Sequence, residues 1–236
     1  MTSADDRRAE IAAGLDDVRR RMAASASSAG RDPAELTLVV VTKFFPASDV
    51  RILAELGVTD IGENRHPEAG DKLAESADLG LRWHFIGGLQ SNKATAIASY
   101  ADVVESVDRT KLVAPLQRGA HERSDPVDVL LQVSLDPPEH EGRSGADVAD
   151  LPALADAVDG AGMLRLRGLM AVAPIDEDPA AAFGRLAEIR AAFMADAPGA
   201  TWLSAGMSND FEAAIGAGAT HVRVGSAILG ARPPIK

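Results

Sequence analysis

The sequence predicts a closed (β/α)8 barrel, an α/β fold in which eight parallel strands alternate with helices. Eight short apolar runs occur along the chain, and longer helical stretches separate them. Such alternation indicates parallel strands joined by right-handed crossovers. The competing fold, a doubly wound open sheet, normally carries a glycine-rich turn after its first strand, whereas the turn here is Lys43-Phe44-Phe45-Pro46. We therefore expect residues 1–236 to form a single barrel domain.

The individual elements follow from periodicity. Ile11, Leu15, Val18 and Met22 recur at spacings of three and four, which predicts an extra helix over residues 4–27, ahead of the barrel. The apolar runs predict strands over residues 36–42, 60–63, 83–87, 103–107, 127–134, 164–170, 202–205 and 222–225. Helices are predicted to begin near Ser48, Pro67, Ser91, Asp108, Gly145, Asp178 and Ser208. The longest irregular stretch, residues 136–145, follows the fifth strand and is expected at the barrel mouth.

Charge and composition exclude several classes of function. The net charge is −11 and the sequence pI is near 4.9, which argues against a nucleic-acid partner and against binding to anionic membranes. The absence of cysteine excludes disulfides, thiolate catalysis and cysteine metal sites, and we predict no metal site. The acidic N-terminus lacks the pattern of a signal peptide, and no apolar run approaches the length of a membrane span. These features predict a cytoplasmic protein.

Lys43 is the residue that most suggests chemistry. It follows the buried strand pattern Val39-Val40-Val41-Thr42, which would hold its amine away from bulk water. An uncharged amine on a rigid support is what imine formation with an aldehyde or ketone requires. The alternative is a strand-end lysine whose amine reaches solvent. Polar and glycine residues at the ends of the other strands favour the first interpretation, because barrel enzymes keep their chemistry there.

The last two strand ends resemble an anion site. Gly206 and Ser208 follow the seventh strand, and Gly225 and Ser226 follow the eighth. Taken singly, Ser208 could cap a helix and Gly225 could turn the chain. Together they predict a phosphate site, because phosphate sites in barrels recur at these two loops. Arg223, at the end of the eighth strand, could be a phosphate cation, a salt-bridge partner or a donor to a ring nitrogen.

Two further polar positions have competing interpretations. Asn64 follows Glu63 at the second strand end, and it could cap a helix or form a hydrogen bond with ring substituents of a ligand. His84 lies inside the third strand, and we interpret it as a buried histidine with satisfied hydrogen bonds rather than a catalytic one.

Short motifs spanning nearly the whole chain carry a resemblance to a known family. They are Val40-Val41-Thr42-Lys43, Gly62-Glu63-Asn64, Trp83-His84-Phe85-Ile86-Gly87, Leu89-Gln90-Ser91-Asn92-Lys93, Gln132-Val133-Ser134, Arg167-Gly168-Leu169-Met170, Leu203-Ser204-Ala205-Gly206-Met207-Ser208 with Asp210, and Val222-Arg223-Val224-Gly225-Ser226-Ala227-Ile228 with Gly230 and Arg232. On these motifs the chain resembles the pyridoxal phosphate homeostasis proteins. Their fold is similar to the barrel domain of bacterial alanine racemase, a fold-type III protein that binds pyridoxal 5′-phosphate (PLP).

The resemblance implies which residues hold the cofactor. It implies that Lys43 forms the internal aldimine with PLP and is the one catalytic residue. It implies that Ser208 holds the phosphate together with the backbone at Gly225 and Ser226. Ser226 stands where the family usually has threonine, which keeps the hydroxyl.

The resemblance also assigns residues around the pyridine ring. It places Arg223 against the ring nitrogen, Asn64 near the ring and Met170 along the cofactor pocket. Two positions depart from the usual pattern: Arg65 replaces an aromatic residue, and Leu229 replaces a phenylalanine. The change at Arg65 affects the expected rim of the pocket.

On this resemblance we expect a PLP-binding protein that acts in intracellular PLP (vitamin B6) homeostasis, with little or no turnover of amino acids. An arginine cannot accept the proton of the ring nitrogen, so the ring would be a weaker electron sink. Racemases of this fold also use a tyrosine from a separate β domain of the partner subunit. We expect no such domain here and place the only tyrosine, Tyr100, in or after a helix on the far side. We therefore expect a monomer, with PLP-requiring apoenzymes as the partners to consider.

Three other functions stay open. A racemase-like PLP enzyme acting on an unidentified amino acid would need a second proton donor at the mouth, for which His140 or Glu141 is a candidate. A lysine Schiff-base aldolase on the same barrel would bind a sugar phosphate directly. A regulatory barrel would carry an empty site.

Overall fold

Eight parallel strands close into one barrel in chain order. The computed structural model describes residues 4–136 and 145–231. Val40 pairs with Ile61 of the second strand and with Val224 of the eighth, which closes the sheet and excludes the open-sheet alternative. The strands are β1 (Thr37–Val41), β2 (Asp60–Glu63), β3 (Arg82–Phe85), β4 (Val103–Val107), β5 (Val127–Gln132), β6 (Leu164–Met170), β7 (Trp202–Ser204) and β8 (His221–Val224). The predicted (β/α)8 barrel is confirmed.

Helices connect the strands, and one helix precedes them as predicted. They are α1 (Ala4–Ser28), α2 (Ala47–Glu55), α3 (Glu68–Glu75), α4 (Ser91–Ala98), α5 (Val113–Ala120), α6 (Leu151–Asp159), α7 (Pro179–Asp196), α8 (Phe211–Gly216) and α9 (Ser226–Leu229). Asp178 caps α7 by accepting a hydrogen bond from the backbone N–H of Ala180, with Pro179 at the first helical position. The predicted start of this helix near Asp178 is therefore confirmed.

Three helices begin later than the sequence predicts. After Asp108, a 3-10 turn over Thr110–Leu112 precedes α5. After Gly145, Ala146 pairs with Val133, and its N–H donates to the carbonyl of Gln132 at 2.8 Å. The chain thus continues along the sheet before it turns into α6. The third late start, at α8, belongs to the functional site.

The apolar core lies between the strands and the surrounding helices. Ile11, Leu15 and Val18 of α1 are buried in a cluster that includes residues of β1, β8, α2 and α9. Gly14 brings α1 against α9, because a Cβ atom at this position would lie 2.7 Å from the carbonyl oxygen of Ile228. The extra helix therefore packs against the segment that follows β8.

The inside of the barrel is unusually polar for this fold, in which branched apolar residues normally fill the interior. Met170 packs there with Val103 and Leu130, while Asp60, His84, Glu105 and Arg223 are buried alongside.

Among the residues that the structure describes, no group of three or more acidic or histidine side chains is arranged to hold a metal ion. None of the described helices is both long enough and apolar enough to cross a membrane. His140, Glu141 and Arg232, and most of the predicted mouth loop, lie outside the described residues.

Candidate functional site

A cavity of about 400 Å³ opens at the C-terminal end of the strands. Five of the predicted site residues line it, namely Lys43, Ser208, Arg223, Gly225 and Ser226. The loops after β1, β6, β7 and β8 form its wall, which is where functional sites of barrel enzymes lie. The cavity is within the size range of small-molecule sites.

Lys43 lies in the tight turn that follows β1. Thr42 is fully buried, Lys43 is half-buried, and the N–H of Phe45 donates to the carbonyl of Thr42 at 2.9 Å. Phe44 has a φ of 72°, a left-handed conformation that is uncommon for a bulky residue. Such backbone strain persists where the surrounding structure imposes it, and it concentrates at functional sites. The turn therefore holds Lys43 in a defined position at the cavity.

Glu63 does not face this cavity. Its Oε1 accepts a hydrogen bond from the hydroxyl of Thr42 at 2.7 Å, and it also accepts one from the ammonium of Lys72. The Glu63 side chain is 3% exposed and that of Lys72 is 11% exposed. This buried ion pair ties α3 to the ends of β1 and β2, directly behind Lys43.

The loops after β7 and β8 meet through two serine hydroxyls. The hydroxyl of Ser226 donates to the Oγ of Ser208 at 3.1 Å, and the N–H of Ala227 points to the same oxygen at 3.4 Å. Gly225 has no room for a side chain, since a Cβ atom would lie 2.9 Å from the carbonyl oxygen of Val41. The two hydroxyls and the adjacent backbone amide form a concave polar surface at one end of the cavity.

The prediction that Ser208 begins a helix is wrong. α8 begins at Phe211, because Asp210 accepts a hydrogen bond from the N–H of Met207 at 2.5 Å and holds this segment as a turn. Gly206 makes the turn possible with a φ of 89°, and a Cβ atom there would lie 2.7 Å from the Cα of Phe211. Ser208 is thereby presented to the cavity instead of capping α8.

Arg223 is held by several contacts at the floor of the cavity. Its side chain is 3% exposed. Nη1 donates to the hydroxyl oxygen of Ser204 at 2.6 Å, and Nη2 donates to the carbonyl of Ala171 at 2.9 Å. The carboxylate of Glu105 lies 3.7 Å from Nη1. Of the three roles considered for Arg223, the salt bridge is present, and the same side chain reaches the cavity.

Glu105 links Arg223 to a buried histidine. Its Oε1 lies 2.7 Å from Nδ1 of His84, its Oε2 accepts a hydrogen bond from Ser204 at 2.6 Å, and Nε2 of His84 lies 3.0 Å from Asp60. Burial favours a raised pKa for Glu105, but hydrogen bonding and charge from His84, with Arg223 and Ser204, lower its pKa to about 2. Burial opposes protonation of His84, yet its two carboxylate partners outweigh burial and raise its pKa. His84 is thus a buried histidine with both ring nitrogens satisfied, as predicted.

Asn64 and Met170 do not line the cavity. The Oδ1 atom of Asn64 is buried and has no hydrogen-bond partner among the described residues. Gly87 packs on its backbone, because a Cβ atom at Gly87 would lie 2.3 Å from the carbonyl oxygen of Asn64. Met170 is 2% exposed and packs inside the barrel with Val103 and Leu130, because its side chain faces inward from the end of β6. Both assignments stay predictions.

Arg65 covers the turn beside Lys43. Its guanidinium lies 5.5 Å from the ring centre of Phe44, which is a cation–π distance, and 3.6 Å from the carboxylate of Glu68. The arginine thus packs over an aromatic ring supplied by the loop that follows β1. Its side chain is not part of the cavity wall.

Three polar residues near the site were given no role on the basis of the sequence. Glu105 and Ser204 hold Arg223, and Lys72 holds the end of β1. Glu105 carries a signal that could have found it, since a lone carboxylate inside the apolar run of β4 requires a buried partner. Lys72 lies on the polar pattern of a surface helix, so its sequence context carries no comparable signal.

Comparison with known proteins identifies the family. The family model described as "Alanine racemase, N-terminal domain" matches residues 13–233. The chain is 45% identical over 222 residues to the pyridoxal phosphate homeostasis protein of Pseudomonas aeruginosa, covering 94% of this chain and 96% of that protein. It is 38% identical over 229 residues to the Escherichia coli protein of the same name, covering 94% of this chain and 97% of that protein.

Solved structures give the same relationship. PipY of Synechococcus elongatus, solved with PLP bound, superposes with a TM-score of 0.80 at 35% identity, covering 93% of this chain and all of that one (100%). Alanine racemase of Bacillus anthracis superposes with a TM-score of 0.64 at 17% identity, covering 94% of this chain and 57% of that one, which shows the shared fold alone. The chain belongs to the pyridoxal phosphate homeostasis protein family, which is built on the alanine racemase N-terminal domain.

Proposed function

We propose that this protein binds PLP in the cavity through Lys43 and acts in intracellular PLP homeostasis, with little or no turnover of amino acids. The observation that carries the proposal is that an amine, a buried guanidinium and two serine loops line one cavity of about 400 Å³. Membership of the family supports the same ligand, since PipY was solved with PLP bound. Bound PLP would supply an aldehyde for an amine and an electron-withdrawing ring.

The residues fit the groups that PLP carries. The ligand needs an amine for its aldehyde, hydrogen-bond donors for its phosphate and a partner for its ring nitrogen. The amine is offered by Lys43, and the donors for the phosphate are offered by the loops of Ser208 and Ser226. The partner for the ring nitrogen is Arg223, and all of these residues line the same cavity. We also propose that Asn64, whose buried Oδ1 has no hydrogen-bond partner among the described residues, lies near the ring.

Lys43 is the residue that we propose to bond covalently. Its Nζ and the aldehyde carbon form a C=N bond and release water, a reaction that needs the neutral amine. The strained turn at Phe44 and the buried Thr42 keep the lysine on a rigid support. Confinement of this kind converts an encounter in solution into reaction between neighbouring groups.

The phosphate is proposed to lie against Ser208 and Ser226. The hydroxyls are 3.1 Å apart, so both can donate to one anion after rotation about their C–O bonds. The missing side chain of Gly225 lets the loop after β8 lie directly against β1 at this point, because a Cβ atom would lie 2.9 Å from the carbonyl oxygen of Val41. Because the chain as a whole carries a net charge of −11, these local donors must supply the attraction for an anion.

The ring is proposed to face Arg223, with Met170 beneath the cavity inside the barrel. A guanidinium donates hydrogen bonds but accepts no proton, so the ring nitrogen would be bound in its neutral form. A neutral ring withdraws electrons less strongly. This chemistry disfavours removal of a proton from the α-carbon of an amino acid.

The described residues that line the cavity offer no unpaired carboxylate as a second base. Among the described lining residues, the carboxylates are Glu177, which is paired with Arg185, and Asp210, which accepts from the N–H of Met207. Racemisation needs a proton donor on the face of the substrate opposite the lysine. Tyr100 follows α4 as predicted, but its hydroxyl lies 3.3 Å from His66 and is not part of the cavity wall.

The remaining expectations concern the setting of the protein. We propose that it acts in the cytoplasm as a monomer and that PLP-requiring apoenzymes receive the cofactor from it. Light scattering of the purified chain measures its molar mass and so tests whether it is a monomer. Transfer is tested by mixing the PLP-loaded protein with an apoenzyme of known PLP dependence and measuring the enzyme activity that appears.

The visible absorption spectrum of the purified protein tests the proposed site. We expect wild type with added PLP to be yellow and Lys43→Ala to lose the imine band. Lys111→Ala, which removes an exposed lysine, should keep the band. After borohydride reduction, peptide mass analysis should find the pyridoxyl group on Lys43.

Other outcomes would favour the alternatives. A colourless protein that forms a reducible adduct with a sugar phosphate would indicate an aldolase. Rapid loss of the band with one amino acid, followed by product formation, would indicate a racemase-like enzyme. A pyridoxyl group on another lysine would contradict the role of Lys43.

A further inference from the structure

Four alternating charges run through the barrel interior and end at the cavity. Asp60 lies at the start of β2 and lines a second cavity, of about 370 Å³, together with residues that precede the strands. His84 and Glu105 follow in the middle of the barrel, and Arg223 lies at the opposite end. Each of the four side chains contacts the next directly or through Ser204, and all four residues are at most 8% exposed.

We infer that Glu105 is a positioning residue for the ligand ring, because it fixes the Arg223 guanidinium at the place proposed for the ring nitrogen. The inference rests on the proposed function, since it concerns how the ring of PLP is recognised. Glu105 touches neither the cavity nor the ligand, so it acts through Ser204 and Arg223.

The Ser204 hydroxyl is the link between the two charged groups. A serine hydroxyl has one proton to donate and two lone pairs to accept with. Its proton is directed to Oε2 of Glu105 at 2.6 Å, so a lone pair remains for Nη1 of Arg223, also at 2.6 Å. The ionised carboxylate, which only accepts, determines the direction of the whole chain of hydrogen bonds. A neutral amide at position 105 can donate as well as accept, so it would no longer determine that direction.

The remaining contacts of Arg223 leave one side of the guanidinium for the ligand. Nη2 is directed to the carbonyl of Ala171 at 2.9 Å. A guanidinium has five N–H donors in a rigid plane, so fixing one donor on each terminal nitrogen fixes the orientation of the rest. Arg223 lines the cavity, and its remaining donors can therefore meet a ring nitrogen there.

His84 and Asp60 complete the support of Glu105. Both ring nitrogens of His84 face carboxylates, at 2.7 Å and 3.0 Å, which is the arrangement of a doubly protonated imidazole. With His84 protonated, the four side chains of Asp60, His84, Glu105 and Arg223 comprise two anions and two cations, so the group is neutral overall. Because Glu105 has a cation on either side, its charge can stay buried and reduce the field of Arg223 at the cavity.

A pair of ligands tests this inference independently of protein stability. One is PLP, and the other is its 1-deaza analogue, in which a carbon replaces the ring nitrogen. We expect wild type to bind PLP about tenfold more tightly than the analogue, since a hydrogen bond with a charged donor is lost. In Glu105→Gln this ratio should fall to about twofold or less, because Arg223 no longer has a fixed direction.

Asp128→Asn is the matched control. Asp128 is another buried carboxylate inside the barrel, 1% exposed, and it binds Arg82 and Arg165 instead of Arg223. Its substitution should leave the ratio unchanged. Ser204→Ala keeps both charges and removes the link, and it should lower the ratio like Glu105→Gln. It provides the test if Glu105→Gln does not fold.

The outcomes separate this inference from the proposed function. If wild type binds PLP but does not distinguish it from the analogue, the assignment of Glu105 is overturned while PLP binding stands. If every foldable variant at positions 105 and 204 keeps the wild-type ratio, the assignment is also overturned. If wild type binds neither ligand, the proposed function fails, and the inference fails with it.

Discussion

The ammonium of Lys72 donates a hydrogen bond to the main-chain carbonyl of Thr42 at 2.9 Å, one residue before Lys43. The same ammonium is paired with the buried carboxylate of Glu63, which also accepts from the Thr42 hydroxyl. A helix on the outside of the barrel thus holds the strand end that presents Lys43. The position of Lys43 depends on a second lysine that sequence analysis had not singled out.

Replacing Lys72 with methionine should destabilise the protein. The change removes the charge partner of Glu63, whose side chain is 3% exposed, and leaves an uncompensated buried carboxylate. Breaking a buried pair in this way costs about 3 kcal/mol. Urea denaturation of wild type and Lys72→Met measures the loss in the free energy of unfolding. The double variant Lys72→Met with Glu63→Gln should recover most of it, and equal stability of wild type and Lys72→Met would contradict the role of the pair.

Stability should decrease as the pH falls from about 6.5 to about 4, because of His221. Burial lowers the pKa of His221 from 6.5 to about 4, so the folded chain keeps this histidine neutral. Between those pH values the unfolded chain binds a proton that the folded chain does not, and folding is weakened by up to about 3 kcal/mol. Unfolding curves of His221→Asn should show a shallower acid decline than wild type. His121→Asn, at an exposed position, should not.

Stability should also decrease as the pH rises above 6.5, because of His84. Its two carboxylate partners outweigh burial and raise its pKa above 6.5. The folded chain therefore retains a proton that the unfolded chain releases, and the resulting stabilisation is lost as the pH passes through the raised value. Denaturation at a series of pH values should place the maximum stability near pH 6.5. A flat profile from pH 6.5 to pH 9 would show that His84 is not protonated in the folded protein.

Much of the barrel could be predicted because its strands are covered on both sides. Such strands are near-continuous apolar runs, and β2, β4 and β6 have the predicted bounds. β8 begins one residue earlier than predicted, at His221, since an inward-facing histidine interrupts the apolar pattern. The late start of α8 depends on the hydrogen bond from Met207 to Asp210, a turn that competes with the helix.

The site could be predicted only where its residues lie at strand ends. Lys43, Ser208 and Ser226 follow consecutive or neighbouring strands of the closed barrel, so topology alone brings them to one mouth. Lys72 and Glu105 act through side-chain contacts between different helices and strands. Those contacts depend on side-chain packing after the barrel closes, so the sequence indicates that Glu105 needs a buried partner but does not indicate which one.

Gly225→Ala should weaken phosphate recognition specifically. A Cβ atom at this position would lie 2.9 Å from the carbonyl oxygen of Val41 and 3.3 Å from the Cβ of Val41. The ends of β8 and β1 must therefore separate beside Ser226. Overpacking of this kind costs about 1–3 kcal/mol of folding stability, and losing one hydrogen bond to the charged phosphate in the displaced loop corresponds to about tenfold in affinity. We expect the Kd for PLP to rise by that factor while the Kd for pyridoxal, which lacks the phosphate, changes little.

The control for this substitution lies on a surface helix. Gly184 is within α7, and a Cβ atom there has no neighbour within 4 Å. Gly184→Ala should leave PLP affinity unchanged and raise the free energy of unfolding by about 0.5–1 kcal/mol, because alanine is the better helix former. Equal losses of affinity for PLP and pyridoxal in Gly225→Ala would indicate a general distortion instead of a phosphate contact.

Gly14→Ala should impair PLP binding from a distance. α1 packs against α9, where a Cβ atom at Gly14 would lie 2.7 Å from the carbonyl oxygen of Ile228 and 2.9 Å from that of Ala227. The N–H of Ala227 points to the Oγ of Ser208. Displacing this backbone therefore moves the concave polar surface that Ser208 and Ser226 form. We expect the melting temperature of Gly14→Ala to be lower than that of wild type. We also expect the substitution to raise the Kd for PLP more than the Kd for pyridoxal. Unchanged PLP affinity alongside a lowered melting temperature would show that α1 supports the fold without shaping the phosphate site.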